Sequence, residues 1–71
     1  MSIKNRYMNR LKTIEVIRML RKDGWYQARQ AGSHRQFKHP TKKGTVTIRG
    51  KDSEVQTQAI LNSIFKQAGW K

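Results

Sequence analysis

Apolar side chains recur at helical spacing near both ends of this chain and alternate with polar ones between them. Val16, Ile17 and Leu20 fall at i, i+1 and i+4, with Ile14 widening the stripe on one side, as on the buried face of an amphipathic helix. Thr13 is placed to cap its start. Arg21 and Lys22 stand in its last turn, where the negative end of the helix dipole favours cations, and Gly24 stops it. The expected helix covers roughly residues 13–23. After Gly50-Lys51-Asp52-Ser53 a second helical pattern follows, with Ile60, Leu61, Ile64, Phe65 and Ala68 on one face and Gly69 as its stop.

Three short segments lie between the helices, at 25–31, 34–39 and 45–49, separated by Gly32-Ser33 and by Pro40-Thr41-Lys42-Lys43-Gly44. These separators have turn chemistry, so the segments read as an antiparallel meander. Val46 and Ile48 alternate with Thr45, Thr47 and Arg49, the period of a sheet with one buried and one wet face. In the middle segment Phe37 is the only large apolar residue. With Phe37 inward, alternation places Arg35 and His39 on its side, at the rim, and His34, Gln36 and Lys38 on the open face.

The resulting order is αβββα: an α+β fold with a three-stranded antiparallel sheet, both helices on one face and the other face open to a ligand. Residues 12–71 are expected to form one domain, and residues 1–11 a basic, loosely held arm. That arm reads either as an extra phosphate-binding tail or as an untidy start ahead of Met8.

Composition narrows the ligand. Sixteen Lys and Arg face only Glu15, Asp23, Asp52 and Glu54, a net charge of +12 on 71 residues spread along the whole chain. Self-repulsion of that size points to a polyanion: nucleic acid first, an anionic membrane surface second. Without cysteine there are neither disulfides nor thiolate metal sites. No apolar run is long enough for a signal or a membrane span, so a cytoplasmic protein is expected.

Leu20-Arg21-Lys22-Asp23-Gly24-Trp25, then Gly32-Ser33-His34-Arg35-Gln36-Phe37-Lys38-His39-Pro40, then Ile64-Phe65-Lys66-Gln67-Ala68-Gly69 together resemble the HicA toxins, over about residues 12–70. The resemblance implies a double-stranded-RNA-binding-like fold and an mRNA interferase activity, that is, a ribosome-independent endoribonuclease. It also implies neutralisation by a HicB-like antitoxin, expected to be acidic, in a hetero-oligomer. The family's cleaving histidine follows a Gly-Ser or Gly-Asn pair, which here puts it at His34 with Gly32 and Ser33 as the positioning turn. Where the family commonly has Pro-His after the third strand and Pro-Lys-Gly-Thr before the last helix, this chain has Arg49-Gly50-Lys51 and Gln56-Thr57-Gln58. No catalytic part is assigned to that stretch.

The chemistry of His34 makes sense on its own terms. Cleaving RNA without a metal or cofactor needs a proton taken from the 2′-hydroxyl and one given to the departing 5′-oxygen, and imidazole does either near neutral pH. Cations are wanted beside the phosphorus. Lys38 on the same strand face, with Arg29 or Arg35, supplies candidates, and Lys42 and Lys43 read as phosphate contacts or as a soluble hairpin tip. A strand-edge histidine that only contacts RNA remains the plain alternative. His39 before Pro40 reads as solvated, and the two histidines, on opposite strand faces, do not make a metal site. Trp25 reads as core, whereas Tyr26 and Trp70 are open to base stacking. Two rival classes stand beside the toxin: a module reading double-stranded RNA by shape, and a small DNA-binding or ribosomal protein. Against the first, Gln56-Thr57-Gln58-Ala59 brings no cation to the start of the last helix.

Overall fold

The computed structural model describes residues 11–71. The arm expected over residues 1–11 lies outside that range except for Leu11, which packs against the core. The elements are α1 (Thr13–Lys22), β1 (Tyr26–Ala31), β2 (His34–Lys38), β3 (Val46–Ile48) and α2 (Gln58–Gln67). The strands are antiparallel in the order β1-β2-β3. Phe37 pairs with Val46 and Arg35 with Ile48, so these four side chains share a face. Phe37, Val46 and Ile48 are buried in one cluster with Val16, Ile17 and Leu20 of α1 and Leu61, Ile64 and Phe65 of α2. Both helices therefore cover that face and, among the described residues, no element packs on the other, the αβββα layout the sequence predicts.

The helix starts differ from expectation. Lys12, not Thr13, is the N-cap of α1, and the Glu15 carboxylate reaches back to accept from the Lys12 N–H at 2.8 Å. Thr13 is the first helical residue and is buried. Its hydroxyl donates to the Glu54 carbonyl at 3.1 Å and accepts from the Gln56 amide, so a tertiary bond has claimed the oxygen that capping would use. Residues 54–56 are held extended, because Lys12 and Val55 form an antiparallel bridge flanked by Thr13 N–H to Glu54 O and Gln56 N–H to Leu11 O, both 2.9 Å. The buried Gln56 amide also donates to the Arg49 carbonyl at 2.9 Å. Only after this does Thr57 cap α2, accepting from the Ile60 N–H at 3.2 Å.

The two helices end alike. In α1 the Gly24 N–H bonds Arg21 O at 3.0 Å and the Trp25 N–H bonds Leu20 O at 2.9 Å; in α2 the Gly69 N–H bonds Lys66 O at 3.1 Å and the Trp70 N–H bonds Phe65 O at 2.8 Å. Each pair is a Schellman motif, completed by an apolar contact from the residue after the glycine. In both cases that residue is tryptophan, and both indoles donate to one atom, Asp23 Oδ2, from Trp25 at 3.1 Å and from Trp70 at 3.0 Å. Lys42 Nζ reaches the same oxygen at 2.7 Å and the Ala68 carbonyl at 3.1 Å.

His39, just past β2, joins this cluster. Its Nδ1 accepts from the Thr41 and Lys42 N–H groups, both at 3.1 Å, which leaves Nε2–H to donate to the Asp23 carbonyl at 2.7 Å. The ring stands edge-on to Trp25 with centroids 5.1 Å apart. Gly24 has φ +102° and a Cβ there would sit 2.8 Å from His39 Nε2, so both backbone conformation and space require glycine.

The Lys42 ammonium above all, with the Trp70 and Trp25 indoles, holds the Asp23 carboxyl down at about 2 from its ordinary 3.8, against the opposing effect of desolvation. A lowered carboxyl pKa means that the folded state binds the proton more weakly than the unfolded chain. The stability this gives is complete above the ordinary pKa of 3.8 and is lost as pH falls toward about 2. Asp23→Asn is therefore expected to melt at a lower temperature at neutral pH and to lose less Tm than the wild type on acidification through that window. Circular-dichroism melts across the acid range check this, and parallel curves for the two proteins would count against the carboxylate tie.

Candidate active site

His34 owes its position to the turn before it. Ala31 pairs with His34, which leaves Gly32-Ser33 as a two-residue connection. Gly32 has φ +59° and no non-glycine residue has positive φ among the described residues. Positive φ at the first central position alone marks a type II′ turn, whose twist suits a right-twisted hairpin. His34 is thereby the first residue of β2, and it is exposed.

Strand pairing then fixes which side chains share its face. Across from β2 stand Ala31 opposite His34, Arg29 opposite Gln36 and Tyr26 opposite Lys38, while Thr47 of β3 stands opposite Gln36. With Phe37 inward, His34, Gln36 and Lys38 point to the open face. The face therefore gathers His34, Arg29 and Lys38 together with Tyr26, Gln36 and Thr47. The register shifts between Gln27 and Arg29, so Ala28 is the extra residue of a β-bulge. Gln27 falls on the opposite face with Gln30, and their amides bond at 3.2 Å.

The charge on this face is of one sign. All four Asp and Glu of the chain lie elsewhere: Glu15 at the start of α1, Asp23 at its end, Asp52 on Arg35 at 2.8 Å, and Glu54 beside Gly50. With no carboxylate to neutralise them, Arg29 and Lys38 are left for an anionic ligand.

The remaining candidates are divided by the structure. Arg35 is on the inner side and its side chain is only 16% exposed; its Nη1 bonds Asp52 and its Nη2 donates to the Gly50 carbonyl at 3.1 Å. Lys42 is committed to Asp23 and to the end of α2. Lys43 is exposed in the loop between β2 and β3, away from the paired rows. His39 is half-buried and bonded through both ring nitrogens rather than solvated, and Trp25 is core as expected. Strict alternation misses Tyr26, since without the bulge it would face away from Arg29. Alternation already puts Thr47 on the wet face, and the β2–β3 register adds that it stands opposite Gln36. Among the described residues no three His, Cys, Asp or Glu cluster as metal ligands, and no helix is long and apolar enough to cross a membrane.

Fold and face together define a small, strongly basic α+β domain that presents one exposed histidine among cations on the sheet face that no described element covers. The chain belongs to the HicA family: the family model described as the HicA toxin of bacterial toxin-antitoxin matches residues 14–70. It is thus a toxin of a toxin–antitoxin system, which implies a neutralising partner. No curated protein matches the chain.

The division between cations that hold the fold and cations that face outward is measurable. Lys42→Ala removes charge-assisted bonds to Asp23 and to the Ala68 carbonyl at a partly exposed site, and is expected to lower Tm by a few degrees. Arg29→Ala and Lys38→Ala are expected to leave Tm nearly unchanged. Thermal melts of the three variants side by side check the assignment, and equal losses would remove it.

Proposed function

We propose that this toxin is an mRNA interferase: a metal-independent endoribonuclease that binds RNA on the open face of its sheet and cleaves it through His34. The observation that carries the reading is an exposed histidine sharing an acid-free sheet face with Arg29 and Lys38, in a chain of the HicA family.

The chemistry asks little more of the site. His34 as base takes the proton of a ribose 2′-hydroxyl, whose oxygen attacks the adjacent phosphorus. The bond from phosphorus to the 5′-oxygen breaks, and that oxygen receives a proton, giving a 2′,3′-cyclic phosphate and a 5′-hydroxyl end. Imidazole is suited to both proton transfers. Arg29, opposite Gln36 and so the nearer cation to His34, offsets the charge that builds on the oxygens of the reacting phosphate, and Lys38 holds the backbone farther along. A HicB-like antitoxin of acidic character, covering the same face in a toxin–antitoxin complex, would screen the cations and block His34 at once. The activity belongs in the cytoplasm, with its RNA.

The test compares wild type with His34→Ala for growth arrest on expression, RNA cleavage and RNA binding. Loss of general acid–base catalysis is expected to slow cleavage roughly 10²- to 10⁴-fold while RNA binding persists, with cyclic-phosphate ends on the wild-type products. An alanine variant as toxic and as nucleolytic as the wild type removes His34 from the chemistry. If neither protein cuts RNA and both bind it, the chain is a binding module instead.

A further inference from the structure

Tyr26 is more than half exposed, at 52%, although it directly follows the buried Trp25 and opens a strand that pairs along its length. It stands directly across from Lys38, and the Ala28 bulge puts it on the same face as Arg29 and His34. A regular strand would have offered Gln27 there. Bulges also blunt free sheet edges, and β1 is one, but edge protection does not require an aromatic ring at the redirected position.

From this arrangement we infer that Tyr26 forms a nucleobase subsite, on which an unpaired base of the RNA stacks while Lys38, directly across, holds the adjoining phosphate. The inference rests on the RNA-cleaving reading of the same face. An exposed ring beside cations is how proteins hold unpaired bases, since every base has a π-face and every nucleotide a phosphate. Tyr26 lies in the row of Lys38, four residues along β2 from His34, or about 13 Å at the usual strand rise. That exceeds the spacing of neighbouring stacked bases, about 3.4 Å. The stacked base thus belongs to a nucleotide beyond the scissile phosphate, and Tyr26 selects substrate without touching the reacting atoms. A base locked in a duplex presents no free face to the ring, so the subsite favours single-stranded over double-stranded RNA.

The experiment uses the full chain carrying His34→Ala, so that RNA survives, and measures binding to a single-stranded RNA oligonucleotide and to a blunt RNA duplex. Into this parent are introduced Tyr26→Ala, Tyr26→Leu, Tyr26→Phe and the exchange Y26Q/Q27Y. The alanine and leucine variants are expected to bind the single strand about tenfold more weakly or worse, and the duplex within about twofold of the parent. Tyr26→Phe keeps the ring and stays close to the parent, whereas the exchange, which turns the ring to the other face, behaves like alanine. Leucine keeps apolar bulk without a π-face and so separates stacking from folding. Undiminished single-strand binding by the alanine and leucine variants overturns the subsite, as does an equal loss on both RNAs. A parent that binds no RNA at all overturns the RNA-cleaving reading itself, a result distinct from either.

Discussion

One carboxylate oxygen ties the ends of both helices to the loop between β2 and β3. Asp23 Oδ2 accepts from the indoles that follow both helices and from Lys42 in the loop between β2 and β3. It thereby joins three parts of the chain that share no regular secondary structure. The backbone carbonyl of the same residue holds His39, which terminates β2. Helix ends expose unpaired carbonyls and small sheets have little core to brace them; here one acidic residue serves the ends of both helices and the foot of the central strand. The open face depends on this indirectly, because His34 begins the same strand that His39 anchors at its other end.

Charge is sorted by the same logic. A chain of net charge +12 has to keep its cations apart or find partners for them. Its few acids are spent where the backbone needs them, at the start of α1, at the helix ends and on Arg35 beneath the sheet. Lys42 and Arg35, which a charge count cannot tell from Lys38 and Arg29, are thereby committed to the fold rather than to the open face. Neighbouring acids, not the number of bases, decide which cations are available to a phosphate.

Helical periodicity made both helices legible in the sequence, and alternation around Phe37 placed His34 and Lys38 on the open face. These signals are local, and a single buried face enforces each of them. What escaped the sequence depends on distant partners. Thr13 has the right chemistry for a cap, but its hydroxyl is claimed by Glu54 and Gln56. Lys42 resembles a hairpin-tip lysine until α1 and α2 bring Asp23 and Ala68 beneath it. The bulge at Ala28 breaks the very period on which face assignment rests, so Tyr26 could not be placed until the register was known. The Gly-Trp pairs at residues 24–25 and 69–70 were readable as helix stops, but not as two halves of one tie.

That tie spans 47 residues between Asp23 and Trp70. During synthesis α1 and the sheet emerge first, yet the acceptor they carry waits for its last donor until residue 70 is clear of the ribosome. Contacts of such sequence separation form late and bind a small domain into a single cooperative unit. The domain is accordingly incomplete until Trp70 has been made, and the turns that follow the two helices settle together rather than one after the other.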